Sequence, residues 1–475
     1  MSADYRLPVA GEMVESGEVD EVINPYNGDV VGRVPLATAD QREAAVAAVV
    51  ESFQETRTLS RARRAEICQA IADGIGRRRR ELAETMALEC GKPIKAAQVE
   101  VDRAVATFVM AAEEAKRVGG KIVPIDVVPW GEGYTAQFHR FPIGPVLAIV
   151  PFNFPLNLAA HKLAPCIAAG CSMVMKPPQQ APITVLKLAE IAYEAGLPPK
   201  AFSVLHSTIE VAEPMVRDDR FKLLSFTGSA AVGWHLKAIA GRKRVVLELG
   251  GNAGAIVHSD ADLDWAVTRV TAGGYGYAGQ SCISVQRVLV QRTLFDEFCA
   301  GLVERVEALK VGDPMDDGTD VGPLIEDVHA ERVMSWIAEA EAGGARVLAG
   351  NRREGALVWP TVLADTAPDM KVECEEVFGP VVTVRPYDDF KAAVQMVNDS
   401  VYGLQSGIFT HDIRLIDFAY ANLEVGGVVV NDMPTFRIDN MPYGGVKSSG
   451  LGREGPRSGI EDMTELKLLV VNRRH

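Results

Sequence analysis

The apolar positions of this chain change period more than once. Residues 38–116 read as helices. Thr38 opens a capping box closed by Gln41, ahead of a helix to about residue 53. Ile67, Ile71 and Ile75 then step by four within a helical stretch at 61–90, and a third helix covers 94–116. At 121–142 the pattern turns alternating and β-rich, which predicts a hairpin standing apart from the helices. Beyond it, short apolar runs at 146–150, 173–175, 202–205, 223–226 and 245–249 predict strands, with helices expected at 156–169, 184–195 and 231–240. Strand and helix in turn imply an α/β fold with a doubly wound parallel sheet, whose ligands sit at the carboxyl ends of the strands. The pattern resumes after residue 282 with a strand at 285–290 and a helix at 294–306. A weakly alternating tail at 465–471 predicts a last β segment.

Composition narrows this picture. A chain of 475 residues suggests about three domain-sized units, and 48% hydrophobic residues allow a large core. The formal charge of −14 argues against nucleic acid as a partner, and the basic runs at 61–64 and 77–80 read as a solvated helix face. Seven cysteines without paired or metal-like spacing suggest reduced thiols, no metal site and a cytoplasmic location. No secretory signal and no membrane span are read.

The polar exceptions cluster where strands end. Pro151-Phe152-Asn153-Phe154-Pro155 follows the first strand, Lys176-Pro177-Pro178 the second, and Phe226-Thr227-Gly228-Ser229 leads from the fourth into a helix with Gly233 in its first turns. Taken alone, Asn153 before an aromatic and a proline is ordinary turn chemistry. Backbone N–H groups at the helix start after Ser229 favour phosphate. Glu248 closes the fifth strand, with Leu249 and Gly250 next, and Cys282 lies in A-G-Q-S-C-I-S. A lone glutamate is usually solvated and a lone cysteine usually buried and inert. Together, however, they offer a base for activating water and a thiol nucleophile, with glycines that permit close approach. Gly274 to Gly279 spells G-x-G-x-x-G, but helical spacing precedes it and Cys282 follows, so these glycines read as packing room.

E-L-G-G-N from Glu248 and G-Q-S-C ending at Cys282 resemble the paired signature of the aldehyde dehydrogenase superfamily. The stretches P-F-N-F-P, K-P-P, F-T-G-S and E-E-V-F-G-P (with Glu376 and Phe378), together with M-P-Y-G-G-V-K-S-S-G, extend the resemblance over nearly the whole chain. It implies two doubly wound parallel-sheet domains and a small β oligomerisation arm. The cofactor-binding domain would span 1–120 and 143–248, the catalytic domain 249–455, and the arm 121–142 and 456–475. It also implies Cys282 as nucleophile, Glu248 as base and Asn153 as oxyanion donor. NAD or NADP would lie along Pro151, Phe152, Lys176, Gln179, Gly228, Ser229, Gly233, Leu249, Gly250, Glu376 and Phe378.

The implied activity is oxidation of a small polar or anionic aldehyde to its acid, in a homodimer or homotetramer; the alternative is a catalytically silent structural or binding protein of the same fold. The chain departs from the pattern at Gln179, where NAD-preferring relatives carry a glutamate; a neutral amide there predicts acceptance of NADP as well as NAD. Residues 204–208 lack a usual glycine, and Ser281 stands where some phosphate-using relatives have arginine. Arg437 falls in the loop that such proteins place at the aldehyde entrance, and His161 on the helix after Asn153 is expected to face the same tunnel. Arg437 would either anchor an anion or brace its loop through Asp432 or Asp439.

Overall fold

A computed structural model describes residues 3–474. Two large sheets and one small one organise them. The first sheet runs in the order Phe202–Val204, Met173–Lys176, Val146–Ile149, Leu223–Thr227, Arg244–Glu248, all parallel, with Gly450–Leu451 added antiparallel at the edge. The strand order reverses beside Val146–Ile149, so the chain leaves neighbouring strands to opposite faces and opens a crevice there. The second sheet runs Arg346–Ala349, Thr361–Ala364, Val381–Tyr387, Val285–Gln291, Ala253–Val257, Gln405–Phe409, Gly427–Val430, with only its first strand antiparallel. Fully buried runs such as Leu223–Thr227 and Ala253–Val257 reflect helices packed on both faces. The third sheet joins Gly120–Val123, Tyr134–Pro142 and Thr464–Asn472 in antiparallel pairs.

Several expected elements differ in detail. The stretch 61–90 is two helices, Arg61–Arg77 and Arg79–Cys90, because Arg78 leaves helical geometry (φ −97°, ψ 19°) and binds Glu81 and Glu190. Helix Ile209–Arg217, interrupted in sequence by Pro214, and strand Ala253–Val257, written largely in small residues, carried no clear periodic signal. The tail also divides differently. Gly450–Leu451 returns to the first sheet instead of staying with the second, and Pro456–Asp462 is a helix with Ile460 buried in the first domain's core, so only Thr464–Asn472 forms the arm strand. A proline at the first helical position and an apolar residue four later make that turn helical.

Candidate active site

A cavity of about 460 Å³ opens where the two large sheets face each other. Its walls come from the turns after three strands of the first sheet, the turn bearing Cys282, and the segments holding Glu376 and Arg437. Nearly all are loop positions held by rigid strands, the usual arrangement of a ligand site.

The turn before Cys282 is strained and tightly fastened. Helix Leu263–Tyr275 ends, and Tyr277 and Ala278 take positive φ (51° and 53°). Gly279 follows at φ 71°, where a Cβ would lie 2.1 Å from the Gly379 carbonyl oxygen. The glycines of the G-x-G-x-x-G string thus sit at a helix end and a tight turn rather than at a strand-to-helix junction. Gln280 locks the turn in place: its Oε1 accepts from the Ile325 N–H at 3.0 Å, and its carbonyl accepts from Asn153 Nδ2 at 3.0 Å. That bond uses one Asn153 amide hydrogen and leaves the second free, beside Cys282 in the cavity wall. Cys282 Sγ lies 2.9 Å from the Tyr443 hydroxyl. Burial pushes the thiol up to about 12, against the opposing pull of the Tyr443 hydrogen bond.

Glu248 stands at the end of its strand, 3% exposed, and neither carboxyl oxygen has a hydrogen-bond partner. Burial, reinforced by the charge of Glu454, holds its pKa well above the ordinary carboxyl value. Glu454 is also buried, which by itself favours the proton. There His161, Lys162 and Arg437 outweigh burial and hold it down at about 2, with Arg437 Nη2 at 2.9 Å and Lys162 Nζ at 3.7 Å. The two buried carboxyls are thus driven in opposite directions, Glu454 down and Glu248 up. Lys162 completes its own bonds with Ser225 and Thr227 hydroxyls at 3.0 and 2.8 Å.

Arg437 lines the cavity and stacks over the Tyr443 ring, 3.8 Å from its centroid. Neither expected loop partner holds it closely. Asp432 binds Arg269 at 2.6 Å, Asp439 is 4.0 Å away, and the bond that fixes Arg437 is the one to Glu454. Asp439 instead takes Arg103 at 2.7 Å, Asn157 at 3.0 Å and His161 at 2.9 Å. His161 does not reach the cavity wall. It lies behind Arg437, 3.1 Å from Nη2, and burial lowers its pKa. Arg103 and Lys162 carried no sequence signal, and the M-P-Y-G-G stretch and its continuation gave no sign of the contacts Tyr443 and Glu454 make, because each is defined by partners far away in the chain.

On the opposite wall, Glu376 accepts the Gly251 N–H at 2.9 Å, and burial lifts its pKa to about 7. Gly250 leaves the room it occupies: a Cβ there would lie 2.3 Å from the Glu376 carboxylate. Phe378, at the unusual φ of 45°, meets Phe152 edge to face at 6.0 Å. Ser229 precedes helix Ala230–Ile239 without capping it through its side chain, and Gly233 packs the helix against Leu249. The uncapped N–H groups facing the Gly228 and Ser229 end of the cavity suit a diphosphate. Lys176 and Gln179 lie outside the cavity wall. Burial lowers the pKa of Lys176, which donates to the Pro177 carbonyl at 3.3 Å. Gln179 donates at 3.2 Å to Asp20, which also meets His206 at 3.2 Å, so a carboxylate stands beside the neutral amide after all. Among the described residues no cluster of potential metal ligands occurs.

Comparison with known proteins agrees with this geometry. A 3-sulfolactaldehyde dehydrogenase from Priestia aryabhattai is 43% identical over 98% of this chain and 98% of its own length. The crystal structure of aldehyde dehydrogenase 21 from Physcomitrella patens, in complex with its reaction product succinate, superposes with a TM-score of 0.98 at 42% identity, covering 100% of this chain and 99% of that one. The structure of the glyceraldehyde-3-phosphate dehydrogenase GapN from Methanocaldococcus jannaschii, complexed with NADP, gives a TM-score of 0.93 at 38% identity, covering 96% and 100%. With the aldehyde dehydrogenase family model matching residues 13–469, the chain belongs to the aldehyde dehydrogenase family, as an NAD(P)-dependent oxidoreductase that acts on an aldehyde.

Proposed function

We propose that this enzyme oxidises a small aldehyde with an anionic far end to the corresponding acid, with Cys282 as nucleophile, Asn153 as oxyanion donor and Glu248 as base. The observation that carries the substrate class is the pair of guanidinium groups, Arg103 and Arg437, in the wall of the cavity that also holds Cys282. Asp439 takes Nε and Nη2 of Arg103, Glu454 takes Nη2 of Arg437, and Arg437 Nε has no hydrogen-bond partner. The guanidinium donors left over favour a bound anion, and guanidinium groups suit a carboxylate or sulfonate. The names of the similar proteins, one acting on 3-sulfolactaldehyde and one holding succinate, support the same class.

In this reading the Cys282 thiolate attacks the aldehyde carbon to give a thiohemiacetal. Its oxyanion meets the free Asn153 amide hydrogen and the Cys282 backbone N–H, and one such donor is worth roughly 3 kcal/mol. NAD or NADP would supply the hydride acceptor that lets the thiohemiacetal collapse to a thioester. Glu376, Phe378, Gly250 and the helix start at Ser229 would hold that cofactor against the cavity wall, with Lys176 and Gln179 on its adenosine side. Glu248 then takes a proton from the water that attacks the thioester, and the carboxylic acid leaves.

The same reading gives the first sheet and its helices, with 450–462 added, to the cofactor, and the second sheet to Cys282. The arm sheet of 120–142 and 464–472 would pair with another copy to make a homodimer or homotetramer, and the scattered free thiols suit the cytoplasm. Nicotinamide reduction followed at 340 nm, with a panel of aldehydes matched in length and differing in a terminal carboxylate, sulfonate or methyl group, tests the proposal. A higher kcat/KM for the anionic members is expected; equal or lower values would refute it.

A further inference from the structure

One side chain hydrogen-bonds the reacting sulfur. Tyr443 is 3% exposed and packs with Ile283 and Leu404, and its hydroxyl has one hydrogen-bond partner, Cys282 Sγ, at 2.9 Å. In the thiol form either group can donate. Once the sulfur loses its proton to bulk water, only the phenol can, so the bond strengthens on the side of the thiolate. The groups facing the sulfur leave room for such help: Glu248 and Glu376 oppose a negative sulfur, and Arg437 favours it. Arg437, fixed by Glu454, also lies over the Tyr443 ring, and a cation on that face makes the phenol a stronger donor.

We infer that the Tyr443 hydroxyl is the hydrogen-bond donor that stabilises Cys282 as a thiolate, making Tyr443 a further catalytic residue of the site. This rests on the proposed role of Cys282 as nucleophile. It also gives Arg437 a second task, as it both faces the substrate and sharpens the donor. The burial that raises the thiol's pKa and the hydrogen bond that lowers it then act against each other, and the phenol keeps a buried cysteine reactive.

The test is the pH dependence of Cys282 alkylation by iodoacetamide in the full-length enzyme, located by peptide mass spectrometry, with aldehyde oxidation measured in parallel. Tyr443→Phe removes one oxygen; it should raise the apparent thiol pKa by about one unit and slow alkylation about tenfold below both pKa values. Replacing Tyr443 by 3-fluorotyrosine keeps shape and bond while making the phenol more acidic, and should move the pKa downward. Opposite shifts from the two replacements are a result that packing alone does not produce. An unchanged titration in either correctly folded variant would overturn the inference. Near-normal turnover by Cys282→Ser would instead overturn the underlying reading, whatever Tyr443 does.

Discussion

At the scale of single residues, the two buried carboxyls of the site, Glu248 and Glu454, are pushed in opposite directions, and this shapes the pH behaviour. Because burial and Glu454 raise the pKa of Glu248, thioester hydrolysis should speed up as pH rises through it. Stability should run the other way. A folded pKa above the unfolded one contributes stability that is complete below the unfolded value and is lost as pH climbs through the folded one. Glu248→Gln should flatten the hydrolysis limb and slow that step about 100-fold or more, while leaving the initial burst of reduced cofactor in place; a variant with an unchanged pH profile would remove Glu248 as the base. Arg437→Gln should cost about 2 kcal/mol more on an anionic aldehyde than on its neutral match, read as the ratio of kcat/KM values, and equal losses would remove it as the anion anchor. The turns that hold Glu248, Cys282 and Asn153 were legible as strings of glycines, proline and aromatics, and the resemblance of those strings to a family singled the three residues out. The contacts of Tyr443, Lys162 and Arg103 were not legible. Tyr443 meets Cys282 across 161 residues and Lys162 meets Thr227 across 65, and no local pattern encodes such meetings.

At the scale of elements, a buried ion pair ties the two halves of the site. Lys92 and Glu100 are fully buried and in contact; Lys92 Nζ also lies 3.8 Å from the Phe154 ring centroid and 4.5 Å from that of Tyr277. Glu100 accepts the Leu156 and Asn157 N–H groups at 3.0 and 3.1 Å, and so caps helix Pro155–Ala169 just after the Asn153 turn. One pair thereby fixes the oxyanion turn and the nucleophile turn together. Glu100→Gln leaves a buried ammonium without its counter-charge and should cost about 3–5 kcal/mol, visible in urea unfolding. A second element, strand Val19–Ile23, brings Asp20 to Gln179. A unit negative charge a few ångströms from a 2′-phosphate is worth about 1 kcal/mol in water. Asp20→Asn should therefore raise NADP use relative to NAD about fivefold, and an unchanged cofactor ratio would show that Asp20 does not face the ribose. The helices before residue 120 and the parallel strands of the first sheet announced themselves through periods and caps, as did Val285–Gln291 alone in the second sheet; Thr38 and Gln41 form the expected reciprocal box. The break at Arg78 did not, because it depends on Glu190, which arrives from another helix.

At the scale of the whole molecule, the arm presents an unfinished edge. Thr464–Asn472 pairs on one side only, and Leu466, Leu468 and Val470 on one of its faces are about half exposed. Such an edge calls for a partner. Leu468→Lys should shift the assembly toward smaller species by light scattering at micromolar concentration, and a wild-type monomer would contradict the proposed oligomer. The first sheet and the hairpin at 121–142 were readable from the order of periods, and the division into two sheet domains and an arm came with the family resemblance; the return of Gly450–Leu451 to the first sheet was not readable, since two residues carry no period. That return matters to the history of the chain. The first sheet cannot be finished, nor Glu454 set beside Glu248, until the ribosome has made the entire second sheet, so the nascent amino-terminal half holds an open β edge throughout synthesis. In the mature enzyme the same crossing acts as a strap. A protease that nicks an exposed loop of the second sheet should leave the two halves bound together, eluting as one particle until a denaturant separates them.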